Sequence, residues 1–315
     1  MTPVAFAIAL LCLLVTASTA AASDTHGVDS HAIDGTGATT AGVASAGAWC
    51  GSVRRTDPPG LRSAPLRYHA VYLVPRGARS RLRRFAPTFQ ADAFGASMLL
   101  ERLYGRAIRF DMGTSCGRQY LDISRLRLSV TRARLRRAAR SSDQSALFNL
   151  VRDDMQRAGF PVTDESTGYE WGSRHPTVNY VAWLDGPAPE GACGQGTSVV
   201  DTRRVFWNVN NLGGKLALVF RRDGNFCGAD TVRHEIGHNL GALQPHAPHT
   251  RDGVHCTDAR EDTMCEGGAP AVAGSSRRFF DYGNDDYWDP PRGRPLRWWT
   301  LNLSWFICPN TTCNG

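Results

Sequence analysis

Cysteine content constrains this chain more than any other feature. There are nine cysteines in 315 residues, and Cys12 sits in an apolar run over residues 4–15. Twelve residues are too few to cross a hydrocarbon core of about 30 Å. Small residues, Ala20-Ala21-Ala22, follow the run. Residues 1–22 therefore read as an export signal with Ser23 first in the mature chain. The other eight cysteines are Cys50, Cys116, Cys193, Cys227, Cys256, Cys265, Cys308 and Cys313. An even set in an exported chain predicts four disulfides and no free thiol. Cys256 and Cys265 read as a local pair. Cys308 and Cys313 clip the C-terminus, to each other or to distant partners.

Hydrophobic residues make up 42% and charged residues 21% of the chain, which excludes a disordered polymer and a coiled coil. Net charge is +7, and 35 of the 36 basic residues are arginine, the exception being Lys215. Arginines cluster at 77–84 and 132–140. No nucleic-acid-binding motif accompanies them, so both clusters read as solvated helix or loop. The expected protein is a secreted monomer with neither nucleic acid nor membrane as partner.

Residues 23–48 are Ser-, Thr-, Ala- and Gly-rich. They cannot bury enough apolar surface to offset ordering entropy and read as a flexible lead or short pro-segment. Order is expected from Trp49-Cys50, in one domain over 49–315. Strands are expected at 69–75, 108–112, 121–129 and 180–184, with helices at 87–103 and 146–158. Residues 191–196 read as a loop, and 205–208 and 216–220 as segments flanking a turn at Gly213-Gly214. The fold class is α/β (α+β), with a mixed sheet up to about residue 243 and a loop-rich, disulfide-bonded part over 244–315.

Five of the nine histidines fall between residues 234 and 255. Among them is His234-Glu235-Ile236-Gly237-His238. A helix puts residues i and i+4 on one face, so His234 and His238 can reach one Zn²⁺ with Glu235 beside its water. Asp230 or Thr231 can cap that helix. Gly241 can end it in a left-handed turn that bends the chain back towards the metal. Three residues after Gly241 stands Gln244, a neutral amide and so a poor zinc ligand. His246, His249 and His255 come later. Asp281, Asp285, Asp286 and Asp289 form an oxygen-rich cluster around Gly283-Asn284, of the kind Ca²⁺ prefers.

The run HEIGHNLG followed by Asp262-Thr263-Met264-Cys265 resembles the metzincins, in which a helix motif precedes a methionine turn. The stretch from Leu240 to Cys265 is also similar to a group of secreted bacterial proteins loosely called zinc metalloproteases. The Cys193–Gly196 run (CGQG), Arg278–Pro290 and the tryptophan-rich segment after Trp298 match that group too. Glu266 stands where those proteins have a tyrosine, and Tyr282 where they have a cysteine.

The resemblance implies a metzincin-like fold and a zinc endopeptidase acting on extended polypeptide. His234, His238 and a third imidazole would bind the metal, with Glu235 as general base. Snapalysin-like members place the third ligand about ten residues before the turn methionine. His255 precedes Met264 by nine. His255 is favoured, with His249 and Gln244 remaining as alternatives. Met264 would pack beneath the metal without binding it. A strand within 205–220 would pair with substrate. Two other readings share these residues: a non-catalytic binding protein on a decayed protease fold, and a zinc amidase acting on cell-wall peptides.

Overall fold

A computed structural model of the protein describes residues 66–114, 116–163, 176–245, 247–265, 279–288 and 298–313. The export signal, the 23–48 segment, Trp49, Cys50, His246, Glu266 and Asp289 lie outside the described residues. The architecture is mixed α/β. Strands β1 (Arg67–Arg76), β5 (Ile123–Thr131), β6 (Val178–Leu184), β7 (Gly194–Gly196) and β8 (Leu216–Val219) form one sheet in the order β5-β1-β6-β8-β7. The first four in that order are mutually parallel, and the edge strand β7 runs antiparallel to β8.

Strand β1 shows why the sheet is central. Nearly every residue of RYHAVYLVPR is buried, the continuous pattern of a parallel strand covered on both faces. Its side chains alternate between two cores. Tyr68, Ala70, Tyr72 and Val74 face one; Val71 and Leu73 face the other. The first core lies under helices α1 (Leu82–Tyr104) and α4 (Gly228–Asn239), where Phe89 stacks on Trp183 at 4.6 Å between ring centroids. The second lies under α2 (Arg132–Ala139) and α3 (Ala146–Arg157). Close approach of α1 to α4 needs Gly95, where an added Cβ would lie 2.7 Å from the Ala229 methyl.

Short pieces complete the frame. Strands β3 (Met112–Thr114) and β4 (Gly117–Leu121) pair with each other, as do β9 (Arg221–Arg222) and β10 (Asn225–Phe226). Strand β11 (Ile307–Pro309) pairs with β2 (Arg106–Ile108), and the one-turn helix α5 (Asn310–Cys313) follows it. Disulfides join Cys193 to Cys227, Cys256 to Cys265 and Cys308 to Cys313, and Cys116 is also disulfide-bonded. The expected Cys256–Cys265 pair is present, and of the two alternatives left for Cys308 and Cys313 the structure has the bond to each other. Among the described residues, no helix is long and apolar enough to cross a membrane.

Three local expectations are corrected. Helix α1 begins at Leu82, five residues before Pro87, and carries that proline inside it. The expected strand at 108–112 divides between β2, a bridge from Phe110 to Tyr68, and β3. The glycine-rich 191–196 stretch contains the edge strand β7, because tertiary packing overrides the low strand propensity of glycine. Residues 205–208, expected to flank a turn, are held by side-chain bonds. Asn208 donates from Nδ2 to the carbonyls of Asp201 and Arg203, 2.7 Å each, and accepts from Asn210 N–H. Such side-chain bonds offer the backbone an alternative to a ladder. The arginine-rich segment at 132–140 is helix α2, with Leu135 its one buried residue, as a solvated helix requires.

One buried carboxyl makes this core pH-dependent. Asp92 on α1 accepts from Trp183 Nε1 at 3.2 Å. Burial raises its pKa, the Trp183 hydrogen bond opposes that, and the result is about 7 against an ordinary 3.8. The folded chain thus holds this proton more tightly than the unfolded chain. The contribution is complete below about pH 4 and is lost as pH rises through about 7. We predict that Asp92→Asn removes up to about 4 kcal/mol of stability difference between those limits, gaining mainly at the alkaline end. Urea unfolding at several pH values checks this; an unchanged slope of stability with pH would refute it.

Candidate metal centre

Helix α4 carries GADTVRHEIGHN and packs against β8 and β7. Its N-cap position is Cys227, tied by disulfide to Cys193 beside β7. The expected caps lie inside the first turn instead. Asp230 pairs with Arg233 at 2.8 Å, and the Thr231 hydroxyl donates to the Cys227 carbonyl. At the other end Gly241 adopts φ 74°, and Ala242 N–H returns to the Gly237 carbonyl at 2.9 Å. The left-handed exit expected at Gly241 is therefore formed.

The helix projects His234 and His238 to one side, their Nε2 atoms 3.0 Å apart. His255 joins them from the loop after α4, with ring centroids 5.6 Å from His234 and 5.0 Å from His238. Ligand atoms of the three imidazoles lie within 4.8 Å of one another, a group that can hold a metal ion.

Neighbouring groups set two of the tautomers. His234 Nδ1 lies 2.8 Å from the Thr263 carbonyl, which can only accept, so Nδ1 carries the proton. His255 Nδ1 lies 2.9 Å from the Asp252 carboxylate and likewise donates. Both rings are left with an Nε2 lone pair, the form a metal requires. Asp252 also accepts from the Val254 and His255 backbone N–H groups. Burial acts to raise its pKa, but the His255 hydrogen bond and these two N–H groups prevail, holding it at about 2.

Beneath the histidines is Met264, fully buried. A Cβ added to Gly237 would strike its sulfur, so glycine between Ile236 and His238 lets the loop press directly on the helix. Asp262 Oδ1 accepts Met264 N–H at 2.7 Å, and the Cys256–Cys265 disulfide closes the loop. Arg233 Nε donates to the Thr263 hydroxyl at 3.1 Å, which in turn donates to the Phe279 carbonyl. Burial lowers the Arg233 pKa to about 10.

Glu235 lies on the β7 side of α4. Cβ atoms on Gly194 or Gly196 would collide with its side chain, and one on Gly196 would sit 2.8 Å from its carbonyl. Both glycines are therefore required where the edge strand crosses the helix. The strand expected to receive substrate within 205–220 does not have that role. Strand β8 is the strand formed there, and it is paired on both sides, by β6 and β7.

Gln244 and His249 stand away from the three imidazoles. Gln244 is buried with its Oε1 accepting Asp201 N–H at 3.0 Å and its Nε2 donating to the Gly241 and Val199 carbonyls. His249 instead joins Asp258, Asp285 and Asp286 in a second group that can hold a metal ion. Cys256, Asp258 and Cys265 form a third cluster, but its two cysteines are bridged and offer no thiolate. Within the acidic cluster read from the sequence, Asp281 turns away to accept Tyr287 and Trp288 N–H. Sequence reasoning missed Asp252, Arg233 and the Thr263 carbonyl. A carboxylate three residues before a candidate histidine was the available signal for Asp252.

No family model and no curated protein sequence matches the chain.

Truncating the floor of this centre should be costly. We predict that Met264→Ala lowers stability by about 2–5 kcal/mol, the range for emptying a fully buried site. Urea denaturation measures it, and a loss under 1 kcal/mol would show that Met264 does not support the loop.

Proposed function

We propose that the chain is a secreted zinc-dependent endopeptidase. The observation carrying this reading is the convergence of His234, His238 and His255 beside Glu235, at the edge of the sheet. The donor set fits zinc: three imidazoles, two fixed as Nε2 donors by Thr263 and Asp252. A three-histidine set leaves a coordination position open, as catalytic zinc requires. Zinc supplies Lewis acidity there and brings the ionisation of water towards neutral pH.

The chain's own residues do the rest. Glu235 takes a proton from the attacking water and delivers it to the leaving amine nitrogen. Its carboxylate is held between α4 and the Gly194–Gly196 backbone, next to where an extended chain would lie. Substrate pairs with the outer edge of β7 by strand addition, so its scissile carbonyl faces the histidines. The decayed-fold reading draws on Gln244, on Glu266 in place of a tyrosine and on the basic surface. Against it, Gln244 serves as a bracket between the end of α4 and the segment at 199–201, and a binding protein has no need of Glu235. Disulfides among the described cysteines suit an oxidising, extracellular setting.

Casein hydrolysis by the purified mature chain, with and without a chelator, tests the reading. We expect hydrolysis that stops on chelation and returns with zinc. Release of amino groups from peptidoglycan but not from casein would move the assignment to a cell-wall amidase. Glu235→Gln should lose about 10²- to 10⁴-fold in turnover while keeping its metal; a near wild-type rate would exclude Glu235 as the base. Asp252→Ala should weaken metal affinity by about 10- to 100-fold, read by competition with a chromogenic chelator. Unchanged affinity would deny Asp252 its part in orienting His255.

A further inference from the structure

Beyond that activity, the geometry points to a second metal site. It is a structural zinc site formed by His249, Asp258, Asp285 and Asp286. Four ligand atoms from three chain segments meet there. His249 Nδ1 lies 3.3 Å from Asp286 Oδ1, 3.7 Å from Asp285 Oδ1 and 3.9 Å from Asp258 Oδ2. Ligands about 2.1 Å from one tetrahedral zinc stand roughly 3.4 Å apart, so the spacing suits a shared ion better than direct hydrogen bonds.

Satisfaction of the polar atoms gives the second, independent indication. Buried atoms without a hydrogen-bond partner include His249 Nδ1, Asp258 Oδ2, Asp285 Oδ1 and Asp286 Oδ2. The Asp286 side chain is 0% exposed and that of Asp258 9%. Carboxylate oxygens in such positions normally have a donor or a cation. Burial pushes the Asp258 carboxyl up and the Asp286 carboxyl to about 6, the cost a divalent ion would remove.

The donor types select the ion. Calcium takes six to eight oxygens, whereas an imidazole with up to three carboxylates is a four-donor set suited to zinc. All four positions are filled by protein, which marks a closed, structural site. Backbone contacts hold the arrangement: His249 N–H donates to Asp286 Oδ1 at 2.9 Å, and the His249 carbonyl accepts Thr257 N–H at 2.9 Å. The ion would tie the loop carrying His255 to the segment at 285–286.

Metal analysis of the full mature chain, purified in zinc and desalted, tests this. We expect two zinc ions per wild-type chain and one in His249→Ala and in Asp285→Asn. Both side chains are about two-fifths exposed, so either change should leave the fold intact. His238→Ala should lose the other ion and keep this one. A chain whose zinc content is unchanged by His249→Ala and Asp285→Asn has no second site, and one zinc plus one calcium per chain would overturn the choice of ion. If the three-histidine centre alone holds no metal, wild type holds one zinc, removed by His249→Ala and untouched by His238→Ala; if only the protease reading is wrong, both zinc ions remain and casein is not cleaved.

Discussion

The contact on which the three-histidine cluster depends is the press of the Met264 loop against Gly237 of α4. Two of the three histidines ride on the helix and the third on the loop. Their relative positions are therefore fixed only as well as the helix and loop are fixed to each other. Gly237 removes the side chain that would hold them apart, and Met264 fills the space. Thr263 then places its carbonyl on His234, and Asp262 turns the backbone by accepting Met264 N–H. A close-packed contact of this kind resists drift because each lost methylene is felt.

The polar groups around that contact are unusually buried. Asp262 accepts from Tyr287 Oη at 2.5 Å, Tyr282 N–H at 2.6 Å and Met264 N–H, while burial still holds its pKa at about 7. Asp281 is raised well above the ordinary carboxyl value by burial and by Asp262. Buried networks of this sort are costly unless satisfied, and when satisfied they fix one geometry. Here the satisfied groups are the ones that set the loop: backbone N–H groups at 264, 282, 287 and 288 each find a carboxylate.

Regular elements were legible where periodicity was strong. The β1 and β6 runs and the α3 helix lie close to their expected bounds, because continuous or 3.6-residue apolar patterns carry their own signal. Strand β7 was not legible. Its glycines are chosen by Glu235 and His238 across the sheet edge, and nothing local reports that demand. The 205–211 segment is likewise shaped by partners other than a ladder, since its asparagines bind backbone carbonyls within the segment and beside it. At the metal centre, the helix pair was readable from spacing alone. The grouping with His255 needed a loop to close, and only the cysteines and the methionine hinted at how.

That loop explains why Gln244 lies apart from the three imidazoles. Gly241 turns the chain out of α4, but Gln244 is at once committed to the carbonyl of Gly241 and to the 199–201 segment. Among the described residues, His255 is the next along the chain whose imidazole joins the other two. A longer excursion carries a closure cost that grows only slowly with length. The larger problem is holding the far end still. His255 is held from both sides in sequence: Asp252, three residues before it, grips its ring and backbone, and Cys256 is bridged to Cys265, the residue after Met264. The third imidazole is thus crosslinked to the floor of the site that the helix histidines rest upon. Placement that a helix extension would have supplied through one turn of backbone is supplied here by a disulfide, a carboxylate and a methionine.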